Sequence, residues 1–370
     1  MRLLRRGLLV LTFASLAACA STTDGDAHAS VPFGSLDGAV VATPKGLANR
    51  ELVYFARAFS DAERASLASS APHLRVVAGL SREEALARAS EAHGADSFYA
   101  TPEFVAAAPN LRWVHIASAG VDRYVGEPHL GGNEALVLTN ARGVHGPAIA
   151  DHVFAMLLAL TRDLPYHLDA RRSGTWNRSG SGVLEPIALA GRTCFVVGLG
   201  GIGSEVAQRA KGFDMRVVAT RRSTGPKPDG VDAIGTAADT AHFLAEADVV
   251  VVCVPLTAET EGLFDADAFA AMKDGAYLVN IARGRVVDTD ALVAALRSGR
   301  LAGACLDVTE PEPLPADHVL WTFPNVVVTP HVASVAELTD DRRSALFVED
   351  LRRFAAGEPL LNVVDVRAGY

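Results

Sequence analysis

The stretch from Arg192 to Ser223 restricts the fold more than any other part of the chain. It opens with an apolar run, Cys194–Val197, whose short length and β-branched residues are typical of a buried parallel strand. Gly198, Gly200 and Gly203 follow in G-x-G-x-x-G spacing, and a helical pattern and a second apolar run come after them. A glycine triplet set between a strand and a helix in this way indicates a dinucleotide site.

Each position of this glycine loop has a predicted physical role. Gly198 makes the tight turn, Gly200 lets the backbone approach a pyrophosphate, and Gly203 lets the helix pack closely on the strand. Gly201 and Ile202 lie at the start of the helix, where free N–H groups and the helix dipole hold phosphates. The alternative is a glycine-rich turn that binds nothing, which the flanking strand and helix disfavour.

The end of the second strand predicts which dinucleotide is bound. An NAD site usually carries Asp or Glu there, about twenty residues past the first glycine, to bind the ribose 2′-hydroxyl. This chain has Thr220, Arg221, Arg222 and Ser223 instead. Two guanidinium groups and a hydroxyl suit a 2′-phosphate, so NADP(H) is the predicted cofactor, with NAD(H) left open. The other interpretation is a loop with two solvated arginines.

Length and composition predict a large globular protein. The 370 residues are 49% hydrophobic, enough for a sizeable core and two domains. The formal net charge is −9, with no basic block outside the first residues, which disfavours a nucleic-acid partner. Cys194, Cys253 and Cys305 lie in apolar runs and are predicted to be buried thiols. No metal is predicted, because no His, Cys or Asp cluster has ligand spacing.

Alternating strand and helix patterns predict an α/β fold of doubly wound parallel sheets. In the first part of the chain, strands are predicted at 39–42, 74–78, 95–100, 111–117 and 136–139, with helices at 60–69, 81–93 and 146–164. Around and beyond the glycine loop, further strands are predicted at 215–219, 248–254, 276–281, 302–307 and 326–329, with helices at 238–246, 265–273, 288–298 and 337–355.

Side chains suited to carbonyl reduction follow three of the predicted strands. Arg283, Glu312 and His331 lie beyond strand ends, where parallel sheets bind their ligands. A guanidinium grips a carboxylate and polarises the neighbouring carbonyl, while an imidazolium gives its proton to the forming alkoxide. A carboxylate behind the histidine holds its tautomer. Taken one at a time, each residue has another interpretation: Arg283 as part of a surface ion pair, Glu312 as a loop charge and His331 as a helix-start residue. Together, and beside a dinucleotide site, they predict reduction of a 2-oxo acid.

The chain resembles the D-isomer-specific 2-hydroxyacid dehydrogenases. The resemblance rests on SAGVD, GLGGIG, VPLTAETEGLF, LVNIARGRVVD, GACLDVTEPEPLP and VVVTPHVA, which occur in this order and cover nearly everything from residue 36 onward. It implies a Rossmann cofactor domain, 146–331, inserted into a flavodoxin-like substrate domain made of 36–145 and 332–370. It also implies a homodimer.

The resemblance implies a role for each residue at the strand ends. Arg283 corresponds to the arginine that binds the substrate carboxylate, Glu312 to the glutamate of the catalytic dyad, and His331 to the acid/base. Glu312 is favoured over Glu310 because it stands five residues after Asp307 and directly before a proline, as in the family.

Contacts to substrate and cofactor are implied in the same way. Ala119 and Gly120, in a small-residue loop that alone favours an ordinary turn, would offer backbone N–H groups to the substrate. The cofactor site would be lined by Val254, Pro255, Ile281 and Asp307, with Asp307 toward the nicotinamide amide.

The sequence therefore predicts an NADP(H)-dependent reductase of small 2-oxo acids, with glyoxylate or hydroxypyruvate as first substrates. Arg221 and Arg222 resemble the NADP-using glyoxylate/hydroxypyruvate reductase branch of the family. Two alternatives stay open: an NAD(H)-dependent enzyme acting on another acid, and a dinucleotide-binding sensor without turnover. Candidates for the side-chain pocket of the substrate are Tyr99, Tyr124 and Trp176.

The N-terminus predicts export. Residues 1–19 join an arginine-rich start to a short apolar segment ending LAAC at Cys19, which resembles the lipobox in which bacterial lipoproteins carry their lipid. Ala20 implies the outer membrane, and residues 20–35 a linker. The prediction is a periplasmic, outer-membrane lipoprotein that contacts the membrane only through this lipid. The alternative is a cytoplasmic enzyme whose start codon is mis-assigned.

Overall fold

The computed structural model describes residues 51–222 and 225–370. Its first sheet is built from β1 (Leu52–Ala56), β2 (Leu74–Ala78), β3 (Gly94–Asp96), β4 (Trp113–Ile116) and β5 (Val137–Asn140). These strands are all parallel and lie in the order β2-β1-β3-β4-β5, which is the flavodoxin-like order.

The second sheet contains the strand that precedes the glycine loop. It is built from β6 (Thr193–Val197), β7 (Arg216–Thr220), β8 (Ala233–Gly235), β9 (Val249–Val252), β10 (Ala276–Asn280), β11 (Leu301–Leu306) and β12 (Val326–Val328). The strands are parallel, in the order β12-β11-β10-β9-β6-β7-β8. Six of them reproduce the Rossmann order, in which the direction of winding reverses beside the first strand.

Helices connect the strands and cover both faces of each sheet. Their bounds are α1 (Asp61–Ala68), α2 (Arg82–Ala87), α3 (Pro102–Ala107), α4 (Asp122–Val125), α5 (Gly146–Thr161), α6 (Leu164–Arg172), α7 (Gly201–Gly212), α8 (Thr240–Glu246), α9 (Ala266–Ala271), α10 (Thr289–Arg297) and α11 (Glu337–Ala356). We call the five-stranded sheet with its helices the first lobe, and the seven-stranded sheet with its helices the second lobe.

Burial along β1 shows how the first lobe is packed. Leu52 and Tyr54 belong to one core cluster, and Val53 and Phe55 belong to another. Successive side chains of a strand point to opposite faces, so the two clusters lie on opposite faces of the sheet. Every residue of β1 is buried, as expected for a parallel strand covered by helices on both sides.

The strand β1 was not predicted from the sequence. Its residues Leu52–Ala56 form a short apolar run with two aromatic side chains, the same signal that identified other strands. The strand that was predicted at 39–42 lies outside the described residues. Three other short elements, β8, α3 and α4, also went unpredicted, since segments of three to six residues carry little periodicity.

The helix predicted at 146–164 corresponds to α5, and a second helix that was not predicted, α6, follows it. The first ends at Thr161, and the second begins at Leu164. Between them Asp163 has a left-handed backbone, with φ +52°. Pro165 lacks the N–H that a continuous helix would use, so the chain restarts instead of extending. Pro147 lies in the first turn of α5, where its missing N–H is not needed.

The helix α11 returns the chain to the first lobe. Phe347, Leu351 and Phe354 pack in the same cluster as Tyr54 and Trp113. Helical spacing in the sequence places Leu338, Ala345, Val348, Leu351 and Phe354 on one apolar stripe, but Leu338 and Ala345 are exposed. The helix ends at Gly357 in a left-handed conformation, with φ +68°, which glycine adopts without strain.

The observed topology confirms the predicted fold class of two parallel α/β sheets. The domain boundaries stay predictions. Cys194 and Cys305 are buried free thiols of one core cluster of the second lobe, and Cys253 is a half-buried free thiol packed against the same cluster; burial raises the pKa of each. Among the helices of residues 51–222 and 225–370, none combines the length and the apolar character needed to cross a membrane.

Candidate active site

The glycine loop after β6 has the shape that a pyrophosphate requires. Gly198 has φ +98°, and a Cβ there would lie 2.9 Å from Cγ1 of Val254. A Cβ on Gly203 would lie 2.2 Å from the carbonyl oxygen of Gly198, so only glycine lets α7 approach the strand this closely. A Cβ on Gly200 would meet nothing within 4 Å, which leaves the front of the loop open.

The N-terminus of α7 is free to hold an anion. Gly200 is its N-cap residue and provides no side-chain hydrogen bond to the first turn, which begins with Gly201 and Ile202. The unpaired N–H groups of this turn and the positive end of the helix dipole therefore face the open side of the loop. These residues fit a dinucleotide pyrophosphate.

The end of β7 lies directly beside the glycine loop. The N–H groups of Gly198 and Leu199 donate to the carbonyl oxygen of Thr220, at 3.1 and 2.8 Å. Arg221 and Arg222 follow at once, so their guanidinium groups belong to the same edge of the site. Ser223, predicted as a third contact to the cofactor, lies outside the described residues.

The other predicted cofactor residues differ in accessibility. Val254 lies half-buried against Gly198, and Pro255 is exposed in the loop after β9. Ile281 is a buried core residue that follows the end of β10. Their contacts to the cofactor stay predictions.

Arg283 is held between the two lobes. Its Nε and Nη2 lie 3.1 and 3.0 Å from Oδ1 of Asp122, and its Nη1 donates to the carbonyl oxygen of Ala282 at 2.8 Å. Asp122 belongs to the first lobe and Arg283 to the second, and both side chains are mostly buried. A Cβ on Gly120 would overlap Nη2 of Arg283, at 1.7 Å, so a side chain at this position would displace the guanidinium from its place against the loop.

The loop that carries Ala119 and Gly120 presents free backbone donors. Its carbonyl oxygens are already used: that of Ala119 accepts from Nδ2 of Asn140 at 2.8 Å, and that of Gly120 from Oγ of Ser118 at 2.8 Å. Within the described residues, no acceptor takes the N–H of Ala119 or Gly120. Backbone donors beside a guanidinium form a site for a carboxylate.

His331 and Glu312 form a dyad. Nδ1 of His331 lies 2.6 Å from Oε1 of Glu312, and about half of each side chain is exposed. The backbone of His331 is left-handed, with φ +55°, an uncommon conformation that other contacts must maintain. Because the carboxylate accepts the Nδ1 proton, Nε2 is the atom left to exchange a proton with a substrate.

Asp307 holds the loop that carries His331. Its Oδ1 accepts from Oγ1 of Thr329 at 2.7 Å and from the N–H of Val332 at 2.9 Å, and its Oδ2 accepts from the N–H of Ala333 at 3.0 Å. Its carbonyl oxygen accepts from the N–H of His331 at 2.8 Å. This carboxylate is therefore a structural anchor of the catalytic loop; its predicted contact to the nicotinamide stays a prediction.

Strand pairing explains why these side chains share one edge. Asn280 of β10 pairs with Leu306 of β11, and Leu306 pairs with Val328 of β12. Arg283 and His331 each lie three residues past the end of their strand, so parallel register brings them to the same carboxyl edge. The arrangement can bind a carboxylate, polarise an adjacent carbonyl and deliver a proton.

Sequence reasoning missed the residues that support this edge. Asp122 was treated only as the end of a loop, although it binds Arg283, and Asn140 was not considered. No sequence signal pointed to His152, whose Nε2 lies 2.9 Å from Oγ1 of Thr329, so that it belongs to the network behind His331. Their position in the sequence could have identified two of these residues, because Asn140 and Thr329 both lie where a strand ends.

Two candidates for the substrate pocket are placed elsewhere. Tyr99 is buried in the first-lobe core, and its hydroxyl donates to the carbonyl oxygen of Leu80 at 2.8 Å. Trp176 is 92% exposed. Tyr124 stays a candidate, because it lies in α4 two residues after Asp122. Across residues 51–222 and 225–370, no group of three or more His, Cys, Asp and Glu side chains could hold a metal ion.

Comparison with known proteins finds the same family as the motifs. The model of the D-isomer specific 2-hydroxyacid dehydrogenase NAD binding domain matches residues 154–333. A glyoxylate reductase from Pyrococcus furiosus is 39% identical over 259 residues, which are 68% of this chain and 75% of that protein.

Solved structures share the fold over nearly the whole described chain. A D-isomer specific 2-hydroxyacid dehydrogenase from Xanthobacter autotrophicus, in complex with NADPH, is 34% identical with a TM-score of 0.71, covering 87% of this chain and 100% of that one. An NADPH-dependent glyoxylate/hydroxypyruvate reductase from Sinorhizobium meliloti, in complex with NADP and sulfate, is 27% identical with a TM-score of 0.70, covering 86% and 100%.

Replacing Asp122 tests whether the contact between the lobes positions Arg283. We expect Asp122→Ala to lower kcat/KM for a 2-oxo acid by roughly tenfold, mainly through KM, because the guanidinium loses a charged partner. Asp122→Asn keeps the acceptor oxygen and should recover most of the loss. Initial rates with varied acid and varied cofactor measure both effects. An unchanged KM for the acid, or an equal rise in the KM for the cofactor, would contradict the assignment.

Proposed function

Since the chain belongs to the D-isomer specific 2-hydroxyacid dehydrogenase family, we propose that it reduces glyoxylate or hydroxypyruvate with NADPH as the preferred hydride donor. Family membership makes it an NAD(P)-dependent oxidoreductase of 2-hydroxy and 2-oxo acids. The proposal adds the substrate and the cofactor preference. The observation that carries the proposed reduction is the 2.6 Å contact between His331 and Glu312 at the same sheet edge as Arg283.

The residues divide the chemistry among them. The N–H groups of Ala119 and Gly120, together with Arg283, bind the carboxylate of the acid, and Arg283 polarises its carbonyl. A bound nicotinamide supplies the hydride for the carbonyl carbon. His331 donates the proton on Nε2 to the oxygen, while Glu312 stabilises the imidazolium through Nδ1–H. In the direction of oxidation the same nitrogen accepts the proton.

The end of β7 supports NADPH as the cofactor. Thr220, Arg221 and Arg222 occupy the position at which an NAD site carries an acid, and none of these three residues is a carboxylate. A 2′-phosphate beside two guanidinium groups gains charge-assisted hydrogen bonds, whereas NADH brings no phosphate to this position. The relatives from Xanthobacter autotrophicus and Sinorhizobium meliloti were crystallised with NADPH and NADP.

Steady-state rates test the substrate and the cofactor together. With glyoxylate and hydroxypyruvate we expect kcat/KM to be at least about tenfold higher with NADPH than with NADH, and Arg222→Ala to remove most of that difference. His331→Ala should lose about 100-fold or more in kcat, because the proton donor is gone. His242→Ala, an exposed histidine on α8, serves as the matched control.

The results separate the remaining alternatives. Preference for NADH, or turnover only with a bulkier 2-oxo acid, would identify another dehydrogenase of the same family. Binding of NADPH without turnover of any 2-oxo acid would contradict the proposal and favour a sensor.

We also propose that the protein is a homodimer. The support is that four of the ten exposed large apolar side chains of the described residues lie on one segment of the second lobe, namely Leu164, Leu168, Trp176 and Val183. Exposed apolar side chains that come together in a patch mark an interaction site, and the predicted partner is a second copy. Sedimentation should show twice the chain mass of 38.8 kDa, and Trp176→Ser with Leu168→Lys should weaken the dimer. A monomeric unmodified protein would contradict this.

We propose further that the protein is exported and attached to the outer membrane through Cys19. The basis is the lipobox-like sequence alone, since residues 1–50 lie outside the described part. In a bacterial host, the unmodified protein should incorporate labelled fatty acid and appear in the membrane fraction, and Cys19→Ser should do neither. Unlabelled protein in the cytoplasm would contradict the proposal and support the mis-assigned start codon.

A further inference from the structure

An aromatic ring of the first lobe lies against one of the two arginines after β7. Cζ of Arg222 is 4.6 Å from the centroid of the Tyr370 ring. This distance is within the range of a cation–π contact. Arg222 belongs to the second lobe and follows the strand that ends beside the glycine loop.

The segment that carries Tyr370 is anchored to the first lobe. The N–H of Val364 donates to the carbonyl oxygen of Leu138 in β5, at 2.9 Å. Asp365 then closes a turn, in which its carbonyl oxygen accepts from the N–H of Gly369 at 2.9 Å. The Tyr370 ring packs against the first-lobe core. Its position is therefore set by the first lobe rather than by Arg222.

The same turn reaches the loop on the other side of the glycine loop. A Cβ on Gly369 would lie 3.7 Å from Cγ2 of Thr257, so the turn passes within van der Waals reach of that residue. Thr257 lies in the loop after β9, and β7 and β9 are the two neighbours of β6 in the sheet. The turn at 365–370 thus contacts the loop after β7 through Tyr370 and lies beside the loop after β9.

Arg221 and Arg222 differ in how many of their N–H donors are free to bind a phosphate. Nη2 of Arg221 donates to the carbonyl oxygen of Pro226 at 3.1 Å, so part of its hydrogen-bonding capacity is used within its own loop. Among the described residues, no hydrogen-bond acceptor or carboxylate contacts the guanidinium of Arg222, which lies against the Tyr370 ring. A ring face restrains a guanidinium and leaves its N–H donors available for a phosphate.

We propose that Tyr370 is a positioning residue for cofactor specificity: its ring holds Arg222 in place to receive the 2′-phosphate of NADPH. This inference rests on the proposed NADPH preference and adds a residue from the other lobe to it. A restrained guanidinium loses less conformational freedom when the phosphate binds, which favours NADPH. NADH has no 2′-phosphate, so the restraint has no effect on its binding.

Two substitutions at position 370 separate the aromatic face from simple packing. Tyr370→Leu keeps an apolar side chain in the first-lobe core but removes the ring, and Tyr370→Phe keeps the ring without the hydroxyl. We expect Tyr370→Leu to raise the KM for NADPH about threefold to fivefold with little change in kcat or in the KM for NADH. Tyr370→Phe should match the unmodified protein. Thermal unfolding of each variant checks that the fold is intact.

A double variant that combines Tyr370→Leu with Arg222→Ala tests whether Tyr370 changes the KM for NADPH through Arg222. If Tyr370 acts through Arg222, adding Tyr370→Leu to Arg222→Ala should change the KM for NADPH no further. Three results would overturn the inference and leave the NADPH preference standing. They are an equal rise in the KM for NADPH and the KM for NADH, the same rise in Tyr370→Phe, and full additivity of the KM effects of Tyr370→Leu and Arg222→Ala. Absence of any NADPH preference in the unmodified protein would overturn both.

Discussion

The buried carboxylate of Asp307 fixes the geometry on which the active centre depends. A carboxylate removed from water is costly unless donors surround it, and here the hydroxyl of Thr329 and the N–H groups of Val332 and Ala333 do so. Each of these donors belongs to the segment on either side of His331. The carboxylate therefore ties this segment to the end of β11, and the left-handed backbone of His331 is maintained by bonds that its neighbours make.

The substrate end of the site depends on a contact across the two lobes. Arg283 comes from the second lobe, yet it bonds to Asp122 and lies against Gly120, both in the first lobe. Neither lobe alone would place the guanidinium beside the free N–H groups of Ala119 and Gly120. The carboxylate site is thus a product of how the lobes meet, and its geometry is sensitive to their relative position.

At the cofactor end of the site, a contact between the lobes again restrains a guanidinium. An arginine of the second lobe, Arg222, again meets a residue of the first lobe, this time the ring of Tyr370. Both ends of a bound dinucleotide would then be close to a contact between the lobes that involves a guanidinium. In each case the first lobe restrains a cation of the second, once with a carboxylate and once with an aromatic face. The carboxylate neutralises charge, whereas the ring leaves it available for a phosphate.

Sequence reasoning identified the parts of this site whose signals are local. The glycine spacing, the apolar runs and the polar residues after strands depend on neighbours within a few positions, and these gave the two parallel sheets and the residues Arg283, Glu312 and His331. Local signals failed where the elements were short, as in β8 and α4, and at α11, where Leu338 fits the helical period but is exposed. Periodicity identifies an apolar face but does not say how far the covering layer extends.

The sequence by itself determined the fold class, the dinucleotide loop and the residue types at the strand ends, because backbone geometry and hydrogen bonding impose them on any chain of this pattern. Only the tertiary structure decided that Asp122 supports Arg283, that Asp307 anchors the loop of His331, and that Tyr370 meets Arg222. These partners are separated by about 160, 25 and 150 positions in the chain. Contacts over such distances depend on how packed layers and lobes come together, and no pattern of neighbouring residues encodes them.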